Sequence, residues 1–199
     1  MGTNRLESFS DGVIAVAVTL LVLNISTPGA HPGHSLAHAL LTQWPEYAAY
    51  ATSFLAIGII WINHHAMINR LREADHTILL FNLLLLMTIA VLPFATDLLA
   101  KHLHDSVAAA IYSGAFLVMA MTFSLLNRQI LIVRAHLMSE QIPLQGRQDL
   151  HRRAAFGLVP YAVATPLAFV SPYITLVICA ALAVFYATPL ASADRPAPR

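Results

Sequence analysis

Six apolar runs, each close to the length that crosses a hydrocarbon layer, take up most of this sequence. They cover residues 9–26, 44–68, 77–100, 106–126, 154–170 and 173–190. A spanning helix needs about 20 residues, with a range of roughly 17–25. Lipid offers backbone N–H and C=O groups no water to bond, so a spanning segment must be a helix or part of a closed barrel. No alternating barrel pattern is visible, and helices remain. Only 11% of the 199 residues are charged, while 58% are hydrophobic. Soluble domains carry about 25% charged residues, so this chain cannot cover a water-facing surface. The expected fold is an all-α integral membrane protein. No internal repeat divides it, so residues 1–199 read as one domain. The net charge of +1 gives no reason to expect a nucleic-acid partner; the lipid bilayer is the expected surroundings.

The first run needs separate treatment, because Val13 to Ile25 behind a short polar head resembles a signal peptide. The head carries Glu7 and Asp11 as well as Arg5, and the would-be cleavage site, Pro28-Gly29-Ala30, has proline where a small residue is wanted. The run is therefore read as a retained helix. With the N-terminus inside, the cytoplasmic segments hold Arg5, Arg70, Arg72, Arg128, Arg134, Arg147, Arg152, Arg153, Arg195 and Arg199, and the outside holds only Lys101. Ten against one is a strong positive-inside bias. It predicts an even helix count with both termini cytoplasmic. Residues 127–134 should prolong the fourth helix as an amphipathic segment, Pro143 to Arg147 should be a loop, and Ser171-Pro172 should turn tightly between the last two helices. Residues 27–43 form a long outer connection rich in His, Pro and Gly.

No enzyme constellation is present: there is no nucleophile elbow, no phosphate-cradling glycine loop and no HExxH. Cys179 is the single cysteine, so neither an intrachain disulfide nor a zinc spacing is available. The outer segments contain His31, His34, His38, His102 and His104, read as solvated polar residues rather than a metal site. No cofactor is expected.

Polar residues inside the membrane are expensive and informative. At 1.5 Å per residue, Arg5, Ser10, Asp11, Asn63, His64, His65 and Asn82 all fall within roughly 10 Å of the cytoplasmic interface. A hydrogen-bonded cluster joining the first three helices is the economical reading; a proton relay is the sharper one. His64 and His65 are adjacent and point about 100° apart, which suits them poorly to chelate one metal together. A second pattern runs along the first helix. Gly12, Val16, Thr19, Leu20, Leu23 and Thr27 share one stripe at helical spacing, with Asp11 on nearly the opposite side. Periodicity alone leaves ordinary helix packing as an explanation of that stripe.

Arg5-Leu6-Glu7-Ser8-Phe9-Ser10-Asp11 resembles the RxxxFSD signature of the transmembrane protein 175 family, the lysosomal and prokaryotic potassium channels. The likeness continues through Gly12 to Leu23, and through Trp61-Ile62-Asn63-His64-His65, Asn82 to Leu86 and Leu92-Pro93-Phe94. Beyond residue 100 it rests on helix count and length. The resemblance implies a prokaryotic cell-membrane channel of six helices per subunit, assembled as a homotetramer around four copies of helix one. By position it implies that Val16, Leu20 and Leu23 form apolar constrictions and Thr19 a selectivity layer near which potassium passes. Arg5, Phe9, Ser10, Asp11, Asn63, His64, His65 and Asn82 would form the structural polar network. Two rival readings stand beside it: a proton-coupled transporter or proton leak through Asp11, His64 and His65, and a non-conducting membrane scaffold.

Overall fold

The computed structural model describes residues 2–28, 35–139 and 141–187. His31, His34 and Gly29-Ala30 of the outer connection lie outside the described residues, as do residues 188–190 of the last expected helix and the C-terminal Arg195 and Arg199. The described residues form the helices α1 (Thr3–Leu20), α2 (Leu36–Thr42), α3 (Trp44–Ile68), α4 (His76–Lys101), α5 (Ser106–Arg128), α6 (Leu144–Phe156), α7 (Leu158–Leu167) and α8 (Pro172–Ala187). Among the described residues, four stretches are long and apolar enough to cross a membrane: Thr3–Asn24, Trp44–Ile68, His76–Lys101 and Ser106–Val133. α8 is apolar but shorter, at 16 residues.

Several boundaries differ from those read in the sequence, each for a local reason. α1 begins at Thr3, not at residue 9, because the polar residues before Phe9 continue the helix beyond the apolar run. At its far end it tightens into a 3-10 turn over Leu21–Asn24 and stops short of residue 26. Three hydrogen bonds hold that ending. The Asn24 Nδ2 donates to the Pro93 carbonyl at 2.8 Å. The Ser26 N–H and C=O are clamped by Glu46 Oε2 at 2.7 Å and Gln43 Nε2 at 2.9 Å. The outer connection contains the short α2, opened by Ser35, whose Oγ accepts from the His38 N–H.

The fifth expected helix, residues 154–170, is not one element. Ala154 to Phe156 close α6, and α7 starts anew after Gly157. Pro160 has no N–H to bond the Phe156 carbonyl, and its ring crowds that carbonyl. A Cβ at Gly157 would sit 3.3 Å from the Ala154 carbonyl oxygen and 3.6 Å from the Tyr186 hydroxyl, so the junction has little room for a side chain. The loop expected from Pro143 to Arg147 is instead the start of α6. Pro143, at φ −54° and ψ 149°, supplies a fixed φ just ahead of the helix, and its carbonyl accepts from the Arg147 N–H at 3.1 Å. α5 prolongs only to Arg128, then opens into a π turn over Gln129–Val133, with Arg134 N–H bonded to the Gln129 carbonyl at 2.8 Å.

α4 and α5 form the centre of the bundle; α1 packs on α3 and α4, α7 packs on α5, and α8 packs on α3, α5 and α7. The middle of α5 is the densest part of the core. Tyr112 and Phe116 are wholly buried, and their rings meet edge to face. Polar side chains there satisfy one another, as burial in lipid demands: Ser53 Oγ lies 2.8 Å from Thr96 Oγ1 and 3.1 Å from the Tyr112 hydroxyl. The arginine-bearing connections meet at one end of the bundle. Arg72 N–H bonds the Leu137 carbonyl, Ser139 N–H bonds the Arg70 carbonyl, and Arg134 pairs with Asp75 at 2.8 Å. Lys101 lies at the opposite end of α4, where Tyr173 bonds His104 and stacks on Trp44.

Candidate functional site

α1 presents two unlike faces. Leu6, Ser10, Ile14, Ala17 and Leu21 recur every three or four residues and are buried against α3 and α4. The other face is open in the single chain: Val16 is 57% exposed and Leu20 43%, and Leu23 in the following 3-10 turn is 74% exposed. Gly12 and Thr19 are exposed with them. A helix face of this kind can be covered by lipid or by another copy of the chain.

The buried face carries the first polar site. Ser10 Oγ donates to the Leu6 carbonyl at 2.8 Å and accepts from Asn82 Nδ2 at 3.0 Å. Asn82 Oδ1 lies 2.7 Å from His64 Nε2. The amide oxygen can only accept, so His64 carries its proton on Nε2. Ser10, His64 and Asn82 are each 0% exposed, and together they tie α1, α3 and α4. His64 Nδ1 is buried without a hydrogen-bond partner among the described residues.

A rim of partly exposed pairs surrounds this chain. Asp11 Oδ1 accepts from Trp61 Nε1 at 2.8 Å. Glu7 Oε1 lies 2.6 Å from His65 Nδ1. His65 thus leaves the bundle on a different side from His64, as the angle between neighbouring helical residues requires. Not every residue of the expected network joins it. Asn63 bonds the Ile59 carbonyl of its own helix at 2.9 Å. Phe9 is 55% exposed, and Arg5 is exposed as well. Conversely, Glu7 and Trp61 hold positions that depth and residue type alone did not single out. Glu7 stands one turn before Asp11, and Trp61 one turn before His65, so helical spacing from the named residues was the available signal.

The open face carries a second polar feature. Thr19 Oγ1 donates its proton to the Val16 carbonyl at 2.9 Å. The hydroxyl oxygen is left as an acceptor only, with its lone pairs turned outward. An oxygen in that state can face a cation. Among the described residues, no group of three or more His, Cys, Asp or Glu side chains gathers as a metal site. The outer histidines that are described do other work: His104 bonds Tyr173 at 2.8 Å, and His38 lies in the first turn of α2.

Comparison with known proteins places this geometry. Residues 5–93 match the family described as endosomal/lysosomal potassium channel TMEM175. A potassium channel of Streptomyces collinus is 40% identical over 188 residues, covering 92% of this chain and 91% of that protein. The endosomal/lysosomal proton channel TMEM175 of Rattus norvegicus is 30% identical over 203 residues; the match spans 96% of this chain and 37% of the longer rat protein. The crystal structure of a lysosomal potassium-selective channel TMEM175 homolog from Chamaesiphon minutus superimposes with a TM-score of 0.81 at 36% identity, covering 93% of this chain and 96% of that one. The two faces of α1 and the Ser10–Asn82–His64 chain therefore stand on a channel scaffold, not an enzyme: the chain belongs to the TMEM175 family of ion channels.

Proposed function

We propose that this chain is a potassium-permeable channel in which four copies surround a central path lined by α1. The observation that carries this reading is the open face of α1. Val16 and Leu20 stand exposed along it with the acceptor oxygen of Thr19 between them, and Leu23 stands exposed in the 3-10 turn that follows. In a four-fold assembly each becomes a ring of four. The apolar rings would hold water poorly, since their walls offer no hydrogen bonds, and a bare ion there loses hydration without replacement. The Thr19 hydroxyls would replace part of that hydration. Six crossings are taken as α1, α3, α4, α5, α7 with the turn after it, and α8. The whole chain acts as one unit in a prokaryotic cell membrane, termini inside, on the strength of the arginine asymmetry.

The proton-relay reading has less support. Asp11 bonds Trp61, His64 bonds Asn82, and His65 bonds Glu7 and Asn69, so none of the three bonds another.

Leu23→Ala tests the pore. It shrinks the most exposed residue of the stripe, at 74%, and should widen and wet its level. Single-channel recording should show a several-fold rise in conductance with poorer discrimination between cations. A variant that assembles and conducts like the parent would place α1 away from the ion path at that level.

A further inference from the structure

We propose that the seam between the end of α5 and α6 binds the headgroup of an anionic, hydroxyl-bearing phospholipid such as phosphatidylglycerol. This rests on the chain spanning a membrane and not on its conducting ions. The seam is defined by a bond across it: Arg147 Nη1 donates to the Leu131 carbonyl at 3.2 Å. Asn127 stands four residues before Leu131, and His151 four residues after Arg147. Each pair shares a helical face, so Asn127 and His151 line the same seam one turn away. The seam holds an unusual set of unused polar atoms. Asn127 Oδ1, Arg147 Nε and His151 Nδ1 are all shielded from solvent and have no hydrogen-bond partner among the described residues. Buried polar atoms are ordinarily paired, and three orphans on two facing elements point to an outside partner.

The chemistry of the set names that partner. Arg147 Nε is a donor, and exposed Arg128, close enough to act electrostatically on His151, adds a second guanidinium at the rim. Together they suit a phosphate diester. Asn127 Oδ1 accepts only. Burial, and after it the Arg128 guanidinium, holds the His151 imidazole below its usual range, which favours the neutral ring with one N–H and one bare nitrogen. An amide oxygen and a neutral imidazole beside a cationic pocket suit headgroup hydroxyls, which both donate and accept. The apolar half of the ligand has its own surface. Phe156, one turn beyond Arg152, is 75% exposed, and Val159 at the start of α7 is 52% exposed. A charged rim followed by an apolar ledge at the foot of a membrane helix has the polarity of a lipid from headgroup to acyl chain.

Native mass spectrometry of the purified full chain, titrated with phosphatidylglycerol, phosphatidic acid or phosphatidylcholine, decides it. Phosphatidylglycerol should bind best, phosphatidic acid less well because it has no headgroup hydroxyls, and phosphatidylcholine least. Arg128→Gln, at an exposed position, should weaken phosphatidylglycerol binding about fivefold. Arg72→Gln, in the connection between α3 and α4, should leave it unchanged. Equal binding of phosphatidylglycerol and phosphatidylcholine would overturn the proposal, as would an equal loss in Arg72→Gln. Phosphatidic acid binding as well as phosphatidylglycerol would overturn the headgroup assignment. Binding is read without conduction, so a non-conducting protein leaves this test intact.

Discussion

Thr19→Val should remove most of the preference for potassium over sodium while leaving assembly intact. Valine keeps nearly the volume of threonine and removes its oxygen. In the wild-type chain that oxygen gives its proton to the Val16 carbonyl at 2.9 Å, which leaves only lone pairs to face an ion. Without it, an ion at this level meets carbon, and nothing distinguishes one dehydrated cation from another except size. Under bi-ionic conditions the reversal potential should move toward zero, by about 59 mV for each tenfold loss of preference. An unchanged reversal potential in a conducting Thr19→Val channel would move selectivity to another level. Because Val16 is a helical neighbour with its carbonyl already bonded within α1, the substitution has no buried partner to orphan.

Asn82→Leu should have the largest effect on stability. Asn82 is the middle of a buried chain, accepting from His64 Nε2 at 2.7 Å and donating to Ser10 Oγ at 3.0 Å. Leucine has similar bulk but serves neither. Ser10 keeps its bond to the Leu6 carbonyl, whereas the His64 N–H is left buried without an acceptor. An orphaned buried donor costs about 1–3 kcal/mol, so the melting temperature in detergent, followed by tryptophan fluorescence, should fall by several degrees. The double substitution His64→Leu with Asn82→Leu should recover much of that loss, because removing both partners removes the orphan. Asp11→Ala should cost less, since its partner Trp61 is 42% exposed and can find another acceptor at the interface. A fully stable Asn82→Leu, or a double variant worse than the sum of its parts, would show that this chain does not join the helices as described.

How much of this was legible in the sequence depended on whether one residue type decided the matter. The apolar runs decided α3, whose bounds Trp44–Ile68 coincide with those read from hydropathy, and nearly decided α4 and α5. They failed where backbone chemistry overrides hydropathy. Pro160 breaks residues 154–170 after Phe156, although every residue around it is apolar. The polar residues from Thr3 to Ser8 are helical because a helix does not end where lipid does. The polar cluster was legible by depth, since rise per residue fixes height along a helix. Which members touch was not, because that depends on rotation. Asn63 and His64 are neighbours in sequence, yet one bonds its own helix and the other bonds Asn82. The Ser53–Thr96–Tyr112 group was invisible for a related reason: single hydroxyls in apolar helices commonly bond their own backbone, and nothing in the sequence marks those that reach across.

Potassium passage through this chain is tested by ion flux from liposomes holding the purified protein, under an outward potassium gradient and then a sodium gradient of the same size. Flux well above that of protein-free vesicles is expected with potassium, and slower flux with sodium. Flux that matches protein-free vesicles in both cases, or that follows only a proton gradient, would mean that potassium does not pass this way.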